Sequence, residues 1–449
     1  MSDGELARLR EVGLHAERVH DEDAAYVAEL RAAGHFNGSM SAAGAVYADG
    51  AGGGRKRDAP VSALGDEAPA KYHNYVDLQR FMEKVRSECA DIAHVGSIGE
   101  TVQGRDLFVV RLTDNPNIEE RNEPQVKLVG NMHGDEVVGR EQLINLIRYV
   151  CQNYKTESRV RQLVENLDIY IIPTMNPDGY ELGRRENAHG VDLNRNFPDQ
   201  FLMPDFDEDD PPTGERLRLE RETEHIMEWS LKRRFALSAN LHGGAVVANF
   251  PFDGNRRRRS GSVSRTPDDQ LFRLLARTYA ESHTEMRRSR QFRGGITNGA
   301  GWYVLYGGMQ DWNYLWTGDM ELTLELSYRK WPRAATLPAY WRENKPSLFA
   351  FLDLATRLGV SGHVRDADTN EGLEARVYVV PRARGHWVQT NKATGEYFRL
   401  LLDGTYQLRA VAPGYESETV TVVVPPSQAV RLSVNFSLQP LGGGSRRKK

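Results

Sequence analysis

The sequence is poor in cysteine and has no long apolar run. Its 449 residues include two cysteines, Cys89 and Cys151, which cannot form a disulfide framework and do not belong to a metal-type CxxC pair. We expect two partly buried thiols, and a single bridge between them stays open because the sequence does not give their separation. No stretch approaches the roughly 18 consecutive apolar residues of a membrane-spanning helix. The start, MSDGELARLREVGLHAERVH, lacks the apolar segment of a secretory signal.

Positive charge is not in excess. The formal net charge is −4 and the pI is near 6.3, which argues against nucleic acid as the main partner because phosphate backbones are bound by basic surfaces. Hydrophobic residues make up 40% of the chain and charged residues 27%, which leaves enough apolar mass for a core. Nothing in the composition indicates an obligate partner, so we expect a monomer.

The two ends of the chain are predicted to be tails. Residues 1–70 contain two short helical patches and then a Gly- and Ala-rich run, a composition that we expect to form a disordered tail or linker. We therefore expect that removing residues 1–65 leaves activity intact. Residues 441–449 are predicted to be a flexible basic tail.

The middle of the chain is predicted to form two domains. In residues 71–357, the segments EPQVKLVGNM, LDIYIIPTM, FALSANL and ELTLELSY have the character of strands, and EVVGREQLINLIRYVCQNY has helical character. This alternation predicts an α/β fold with a mixed, mostly parallel sheet and helices on both faces. Residues 358–440 instead contain short strand-like runs separated by Gly, Pro and Asp, which predict a small all-β sandwich.

Two histidines and one glutamate form a candidate metal site. His133 and Glu136 directly follow one predicted strand, and His242 ends another, in FALSANLHGG. Functional groups of open α/β sheets gather at the carboxyl ends of strands, and two imidazoles with one carboxylate are a known catalytic zinc ligand set. HxxE alone is weak evidence, since a loop histidine beside a helix-start acid is common. The second strand-end histidine strengthens it.

Two further segments add charged groups near this site. In ELTLELSY the leucines alternate with Glu321, Thr323 and Glu325, so these acids face away from the leucines and need a partner or a function, unless the strand lies at a wet edge. The run NPDGYELGRRENAHGVDLNRNFPDQF has turn residues typical of a loop and arginines suited to carboxylates and oxyanions. A solvated loop is the alternative.

Together these segments resemble the zinc metallocarboxypeptidases, in the branch that contains carboxypeptidases E, N, M, D and Z. The motifs that match, between about residues 72 and 440, include NMHGDE, NPDGYE, GVDLNRNFPDQF, LSANLHGG, VVANFPFD, GITNGAGWYVLYGGMQDWNY and TLELS. The resemblance implies a carboxypeptidase-like fold followed by a transthyretin-like sandwich. It also implies one zinc ion and the release of a single C-terminal residue from peptides or proteins.

The resemblance implies a role for each residue of the site. Zinc is bound by three residues, which are His133, Glu136 and His242. Glu325 is the general base and acid, Arg185 polarises the scissile carbonyl, and Asp192 orients His133. The residues that bind the substrate are Asn194, Arg195, Tyr303, Asp253 and Gln310. Among these, Asn194 and Arg195 grip the terminal carboxylate, and Tyr303 closes over the bound C-terminus.

Substrate preference has its own signals. The resemblance implies that Asp253 and Gln310 contact the last side chain of a substrate and select Lys or Arg. A buried acid disfavours apolar side chains, because it would be left unpaired. The neighbouring Arg256–Arg259 run is interpreted as a solvated loop.

Two other functions and two locations stay open. One alternative is a catalytically silent peptide-binding protein of the same fold, although Glu325, Arg185 and all three metal ligands are present. The other is a cytosolic carboxypeptidase that trims acidic tails, which would need a cationic pocket where this chain has Asp253. The resemblance implies a secretory or extracellular location, whereas the missing signal leaves a cytoplasmic one open.

Overall fold

The fold is taken from a computed structural model of the chain. It describes residues 21–36, 64–65, 67–202, 218–380, 387–426 and 431–441. The basic tail predicted beyond Leu441 and most of the N-terminal segment therefore lie outside the described residues.

An eight-stranded sheet forms the centre of the larger domain. Its strands are β1 (Ala93–Glu100), β2 (Asp106–Leu112), β3 (Gln125–Gly130), β4 (Asp168–Ile172), β5 (Phe235–His242), β6 (Ala245–Phe250), β7 (Ile296–Asn298) and β8 (Met320–Ser327). They are ordered β1-β2-β4-β3-β5-β8-β6-β7, with four parallel and three antiparallel pairings. The prediction of a mixed, mostly parallel sheet is confirmed, and the strands predicted from the sequence are β3, β4, β5 and β8.

Helices cover both faces of this sheet. They are α1 (Asp21–Ala32), α2 (Tyr75–Glu88), α3 (Val138–Asn153), α4 (Ser158–Val164), α5 (Pro177–Leu182), α6 (Arg221–Leu231), α7 (Asp269–Ser282), α8 (Gly299–Trp302), α9 (Met309–Trp316) and α10 (Leu337–Arg357). Short 3-10 turns span Leu193–Arg195, Met286–Arg288, Arg293–Gly295 and Ala334–Thr336. Every residue of β3, β4, β5 and β8 is buried, as expected when both faces are covered. None of the helices in the described part of the chain combines the length and apolarity that crossing a membrane requires.

A small β-sandwich follows α10. Its strands are β9 (Val360–Asp366), β10 (Arg376–Val380), β11 (Trp387–Gln389), β12 (Glu396–Arg399), β13 (Gly404–Val411), β14 (Glu418–Val424), β15 (Leu432–Ser433) and β16 (Phe436–Leu438). One sheet is ordered β11-β10-β13-β14 and the other β12-β9-β15, with β16 also paired to β9. The side chains between the sheets form a core of their own. The predicted all-β sandwich is confirmed.

A buried ion pair joins the two domains. Nη2 of Arg399, in β12, lies 2.6 Å from Oδ2 of Asp268, directly before α7, and both side chains are almost inaccessible to solvent. Nearby, Nε of Arg234 donates to the carbonyl of Thr390 at 2.9 Å. Removal of either member would take an ion-pair partner from a buried charge, which is costly. The pair therefore fixes the sandwich to the larger domain.

Helix α1 packs on the larger domain, so the prediction of a disordered tail over residues 1–70 is wrong for residues 21–36. Three of its residues, Tyr26, Val27 and Leu30, reach the apolar cluster around Trp331, as does Phe36 just after the helix. The carboxylate of Asp23 accepts hydrogen bonds from the backbone N–H groups of Lys330 and Trp331, at 3.1 and 3.5 Å. Composition did not predict this docking because the partners of the helix are distant in the sequence, about 150 residues away at Leu182 and about 300 at Lys330.

The two cysteines are bonded, so the prediction of two separate thiols is wrong. Cys89 caps the end of α2, and Cys151 lies near the end of α3. Their Cα atoms are 5.6 Å apart, and they form a disulfide that closes a sequence separation of 62 residues. The sequence could not decide this point, because the separation of the cysteines depends on how the two helices pack.

Candidate active site

Three neighbouring strands bring the predicted site together at one edge of the sheet. His242 is the last residue of β5 and pairs directly with Glu325 of β8. On the other side of β5, β3 ends at Gly130, and the chain enters the loop that carries His133 and Glu136 before α3. Because β3, β5 and β8 are parallel neighbours, their carboxyl ends lie side by side.

The two histidines and the glutamate form a compact buried cluster. The Nδ1 atoms of His133 and His242 lie 2.9 and 2.8 Å from Oε2 of Glu136, and 3.2 Å from each other. Each of the three residues is 3% exposed. Burial lowers the pKa of His242, so its imidazole is neutral, as a metal ligand must be. The donor set and its spacing, with ligand atoms within 4.8 Å of one another, fit a zinc ion.

The loop that carries the cluster is held in shape by Asn131. This residue has a left-handed backbone, with φ of 53°, which asparagine tolerates better than most residues. Its Nδ2 donates to the carbonyls of His133, Gly134 and Glu136 at 2.8, 3.1 and 3.2 Å. A side chain at Gly134 would begin 2.1 Å from the carbonyl carbon of Gly179. Glycine is therefore required for the close approach of these two loops.

Asp192 connects one ligand to an arginine. Its Oδ1 lies 3.0 Å from Nε2 of His133, and its Oδ2 accepts from Nε and Nη2 of Arg185 at 3.0 and 2.9 Å. A proton on Nε2 of His133 leaves the Nδ1 lone pair free for a metal, which is the arrangement that carboxylates impose on metal-binding imidazoles. Burial would raise the pKa of Asp192, but His133 and Arg185 hold it well below its usual range.

Two cations reach the same oxygen of Glu136. Nη1 of Arg185 and Nζ of Lys330 each lie 3.1 Å from Oε1. Burial would raise the pKa of Glu136, but His133 and Lys330 lower it well below its usual range, so the side chain is a carboxylate. Sequence reasoning missed Lys330, although it lies five residues after Glu325 in the loop that leaves the same strand.

The cluster opens into a cavity of about 240 Å³. Eight residues predicted from the sequence line it, and these are His133, Glu136, Arg185, Asn194, His242, Asp253, Tyr303 and Glu325. The wall also includes residues that were not predicted, among them Asn249, Trp302, Thr323 and Lys330. Arg195, Gln310 and Asp192 lie outside the lining. Gln310 is buried behind the wall, where its Oε1 accepts the backbone N–H of Thr323 at 2.8 Å.

A buried acid forms one end of the cavity. Asp253 is 2% exposed, and its Oδ1 accepts from Nδ2 of Asn249 at 2.9 Å. The carboxylate of Asp311 in turn accepts the backbone N–H groups of Asp253 and Gly254. Burial raises the pKa of Asp253 to about 6, against the lowering effects of Asn249 and Arg195. A side chain at Gly299 would begin 1.8 Å from Oδ1 of Asp253, so the close approach requires glycine.

The predicted carboxylate clamp lies beside this end. Asn194 is buried, and its Oδ1 accepts the backbone N–H of Met309 at 3.0 Å. Arg195 is exposed, and its Nη1 donates to the carbonyl of Asn194 at 2.9 Å. Tyr303 follows α8 on the cavity wall. Burial and the charge of Glu325 raise the pKa of Tyr303 to about 12, so its hydroxyl stays protonated and can donate a hydrogen bond.

Glu325 lines the same cavity as His133, Glu136 and His242, and it is 7% exposed. Its Oε2 has no hydrogen-bond partner among the described residues, although it lines the cavity. Burial and the nearby Glu136 raise the pKa of Glu325 well above its usual range. A carboxyl oxygen at this position that has no partner among the described residues is placed to exchange protons with a molecule in the cavity.

Comparison with known protein families identifies the class. The family described as zinc carboxypeptidase matches residues 78–347, and a carboxypeptidase regulatory-like domain matches residues 359–439. The first match covers more than half of the chain, so the chain belongs to the zinc carboxypeptidase family and is a metallocarboxypeptidase. The family implies a zinc ion, and His133, Glu136 and His242 form the group that could hold it.

Relatives place the chain within this family. It is 43% identical over 368 residues to carboxypeptidase SOL1 of Arabidopsis thaliana, covering 82% of this chain and 72% of that one. It is 42% identical over 399 residues to the catalytic chain of carboxypeptidase N of Homo sapiens, covering 82% and 86%. To carboxypeptidase D of Homo sapiens it is 40% identical over 385 residues, but it spans only 27% of that protein. The chain therefore lies in the branch that contains these three enzymes, as the motifs indicated.

Two solved structures share the fold. Thrombin-activatable fibrinolysis inhibitor matches with a TM-score of 0.53 at 19% identity, over 65% of this chain and 77% of that one. Carboxypeptidase A from Helicoverpa armigera matches with a TM-score of 0.51 at 20% identity, over 63% and 73%. At such identities the likeness shows the fold alone, and it confirms the carboxypeptidase-like α/β fold.

Proposed function

We propose that this protein hydrolyses the last peptide bond of peptides or proteins and releases a single C-terminal residue, preferentially Lys or Arg. The observation that carries the proposal is the buried carboxylate of Asp253 in the same 240 Å³ cavity as the His133–Glu136–His242 cluster. One end of the cavity thus suits a cation, and the other suits hydrolytic chemistry. The position of Asp253 in this cavity and its negative charge together favour a substrate whose last residue is basic.

In the proposed enzyme, His133, Glu136 and His242 hold one zinc ion. When bound, zinc supplies a water of lowered pKa and polarises the carbonyl that is attacked. Asp192 keeps the imidazole of His133 in the orientation that ligation needs. Lys330, at 3.1 Å from Oε1 of Glu136, balances part of the charge of that ligand.

Proton transfer is assigned to Glu325. Its carboxylate accepts a proton from the attacking water and then passes it to the nitrogen of the leaving residue, so that one group acts first as base and then as acid. The guanidinium of Arg185, held by Asp192 on one side, donates to the carbonyl oxygen as negative charge develops there. The pairing of Glu325 with His242 across two strands supports this assignment, because it places the base beside a ligand.

The restriction to one residue follows from a carboxylate clamp. Asn194 and Arg195 are proposed to bind the free terminal carboxylate, since an amide and a guanidinium both donate to it. The protonated hydroxyl of Tyr303 closes over the same end. An internal peptide bond has no such carboxylate, so the clamp favours exopeptidase cleavage. Asp253, whose carboxylate is held by Asn249, then meets the terminal cation, and Gln310 is proposed as a second polar contact for the same side chain.

We also propose a secretory or extracellular location and a monomeric state. The Cys89–Cys151 disulfide supports the location, because stable disulfides form in oxidising compartments. Retention of the bond in protein recovered from the secretory pathway, but not in protein held in the cytoplasm, would test it. Light scattering after size-exclusion chromatography would test the monomer.

The function is tested first with four peptides that differ only in the last residue, Arg, Lys, Leu or Glu. We expect release of Arg and Lys, loss of release with a zinc chelator, and recovery when zinc is restored. Equal release of all four residues would contradict the basic preference but not the class of reaction. No release from any peptide, with zinc bound, would favour a silent peptide-binding protein.

A further inference from the structure

Nine exposed arginines flank the wall of the cavity. They lie in two segments, and they are Arg256, Arg257, Arg258, Arg259, Arg265, Arg287, Arg288, Arg290 and Arg293. Neither residues 255–265 nor residues 286–295 contain an acid. In the part of the chain that the structure describes, none of the nine side chains has an ion pair. Such a density of positive charge is unexpected in a chain with a net charge of −4.

Both segments are braced against the stretch that carries Tyr303. The 255–265 segment is tied to it by three hydrogen bonds, from the hydroxyl of Tyr306 to the carbonyl of Asn255 at 2.8 Å, from the N–H of Val304 to Oγ of Ser260 at 3.0 Å, and from the N–H of Gly261 to the carbonyl of Ala300 at 3.0 Å. Arg256–Arg259 begin three residues after Asp253 in the sequence. Because the residues on both sides of them are bonded to the stretch that carries Tyr303, they lie beside the cavity wall.

The second segment reaches the same wall through aromatic rings. Phe292, between Arg290 and Arg293, contacts Trp302 edge to face with ring centres 5.1 Å apart. Trp302 lines the cavity, and its ring centre is 4.8 Å from that of Tyr303. Both arginine-bearing segments are therefore attached to the stretch that carries Trp302 and Tyr303 of the cavity wall, and Lys330 adds a further cation to the cavity lining.

The cavity and the segments beside its wall thus carry opposite charges. Asp253 provides negative charge within the cavity, whereas the two segments packed against its wall carry exposed arginines. An extended substrate advances about 3.3 Å per residue, so the five residues before its last two span about 17 Å, enough to pass the arginine segments. A wholly basic tail would be attracted at the buried end and repelled outside it.

We propose that the preferred substrates carry acidic residues upstream of a single C-terminal Lys or Arg, and that the two arginine segments recognise these acids. This inference rests on the proposed function. Arg256–Arg259 are exposed in a loop, as the solvated-loop interpretation expected, and the proposal adds a binding role to that loop. The attraction acts on encounter and binding, so it lowers KM and leaves kcat unchanged.

The test uses three blocked peptides that end in the same Ala-Arg and carry Glu, Gln or Lys at the five preceding positions. At about 50 mM NaCl we expect kcat/KM to be about tenfold higher for the Glu peptide than for the Gln peptide, and lowest for the Lys peptide. At about 500 mM NaCl the three values should agree to within about twofold, because charges are then screened over about 4 Å. Replacement of Arg256–Arg259 by Gln, or of Arg287, Arg288, Arg290 and Arg293 by Gln, should each reduce the Glu-to-Gln ratio at low salt. The matched control, Arg80→Gln with Lys84→Gln on α2, should preserve it.

Equal kcat/KM values for the three peptides at low salt would overturn the inference alone. So would arginine variants that keep the ratio but lose retention on a sulfated polysaccharide, because the surface would then serve a polyanionic partner. If no peptide is cleaved by the zinc-loaded protein, the proposed function fails and this inference fails with it. A ratio that falls in both arginine variants but not in the control supports the inference.

Discussion

At the residue scale, the carboxyl groups of one small cavity are held in different states by their neighbours. Glu136 contacts two cations and stays a carboxylate, whereas burial raises the pKa of Glu325 and of Asp253. Asp192 is paired on both oxygens. These differences are consistent with the four roles proposed for four similar side chains, namely a metal ligand, a proton acceptor, a cation binder and an orienting group.

The assignment of Glu325 predicts the effect of one substitution. Glu325→Gln keeps the size of the side chain but removes the proton acceptor, so kcat should fall by at least about a thousandfold while the zinc content stays at one per chain. Release of Arg from a peptide and zinc measurement by mass spectrometry check the two parts. Near-normal turnover in this variant would refute the assigned base.

A matched control for this variant lies on the same strand. Glu321 is also buried in β8, but it is bonded to Ser238 and Asn313 away from the metal cluster. Burial raises the pKa of Glu321 to about 7, so its neutral form is already populated at neutral pH. Glu321→Gln should therefore retain most of the activity.

The raised pKa of Asp253 predicts a pH-dependent preference. Only the charged form attracts a terminal Lys or Arg, so the ratio of kcat/KM for Arg-ending over Leu-ending peptides should be high above pH 6 and fall, by up to about tenfold per unit, as the pH decreases below 6. Protonation of the metal ligands affects both substrates alike and cancels in the ratio. Asp253→Asn should give a low ratio that does not change with pH. A pH-independent ratio in the unmodified protein would exclude Asp253 as the selecting group.

The candidate ligands and much of the cavity lining around them could be predicted from the sequence, whereas several of the groups that support them could not. His133, Glu136 and His242 follow apolar strands, and strand ends meet at one edge of a sheet. Lys330 and Asp311 gave no such signal, because their partners depend on where the loop after β8 and helix α9 come to lie. Arg195 and Gln310 were predicted to contact substrate, and in the structure they lie just outside the cavity lining.

At the scale of elements, the strands differ in how clearly the sequence predicts them. β3, β4, β5 and β8 are buried on both faces and read as continuous apolar runs. β1 and β2 lie at one edge and mix exposed with buried positions, so that no strand was predicted there. Short helical patches were noted in residues 1–70, but the docking of α1 was not predicted, since its small apolar face becomes stabilising only when it packs against Trp331.

Helix α1 changes the expected result of truncation. Asp23 is 7% exposed and caps the N–H groups of Lys330 and Trp331, so Asp23→Ala should leave a buried donor unsatisfied and cost about 1–2 kcal/mol. Asp23→Asn retains an acceptor and should cost less than half as much. Thermal unfolding followed by fluorescence measures both.

Glu29→Ala serves as the control, because its ion pair with Arg333 is exposed and such pairs contribute little. Equal stability of the Asp23→Ala variant and the control would show that the helix does not hold this loop. Removal of residues 1–65 should then be harmless, as the sequence alone suggested.

At the scale of the whole molecule, two links constrain parts that are distant in sequence. The disulfide joins α2 to α3 behind the sheet, and the Arg399–Asp268 pair joins the sandwich to the larger domain. The two domains could be predicted from the change in strand and helix pattern near Leu358. Neither link could be, because each depends on a distance that only the packed structure defines.

Loss of the disulfide should lower stability more than activity. Closing a loop of 62 residues reduces the entropy of the unfolded chain by an amount worth about 4 kcal/mol. Cys89→Ser with Cys151→Ser should therefore lower the midpoint of thermal unfolding by about 5–10 °C, while kcat/KM at 25 °C changes little. Unchanged unfolding with and without reductant in the unmodified protein would contradict this expectation.

The pairing of His242 with Glu325 sets a limit on how this protein can be altered. The spacing of a metal ligand and the proposed base is given by the ladder of two adjacent strands, about 4.8 Å, and not by any flexible loop. A single inserted or deleted residue within β5 or β8 would turn one of the two side chains to the opposite face. Libraries of length variants should therefore retain activity when they vary the surface loops and lose it throughout these two strands, which makes the sheet the frame to keep when the specificity is redesigned.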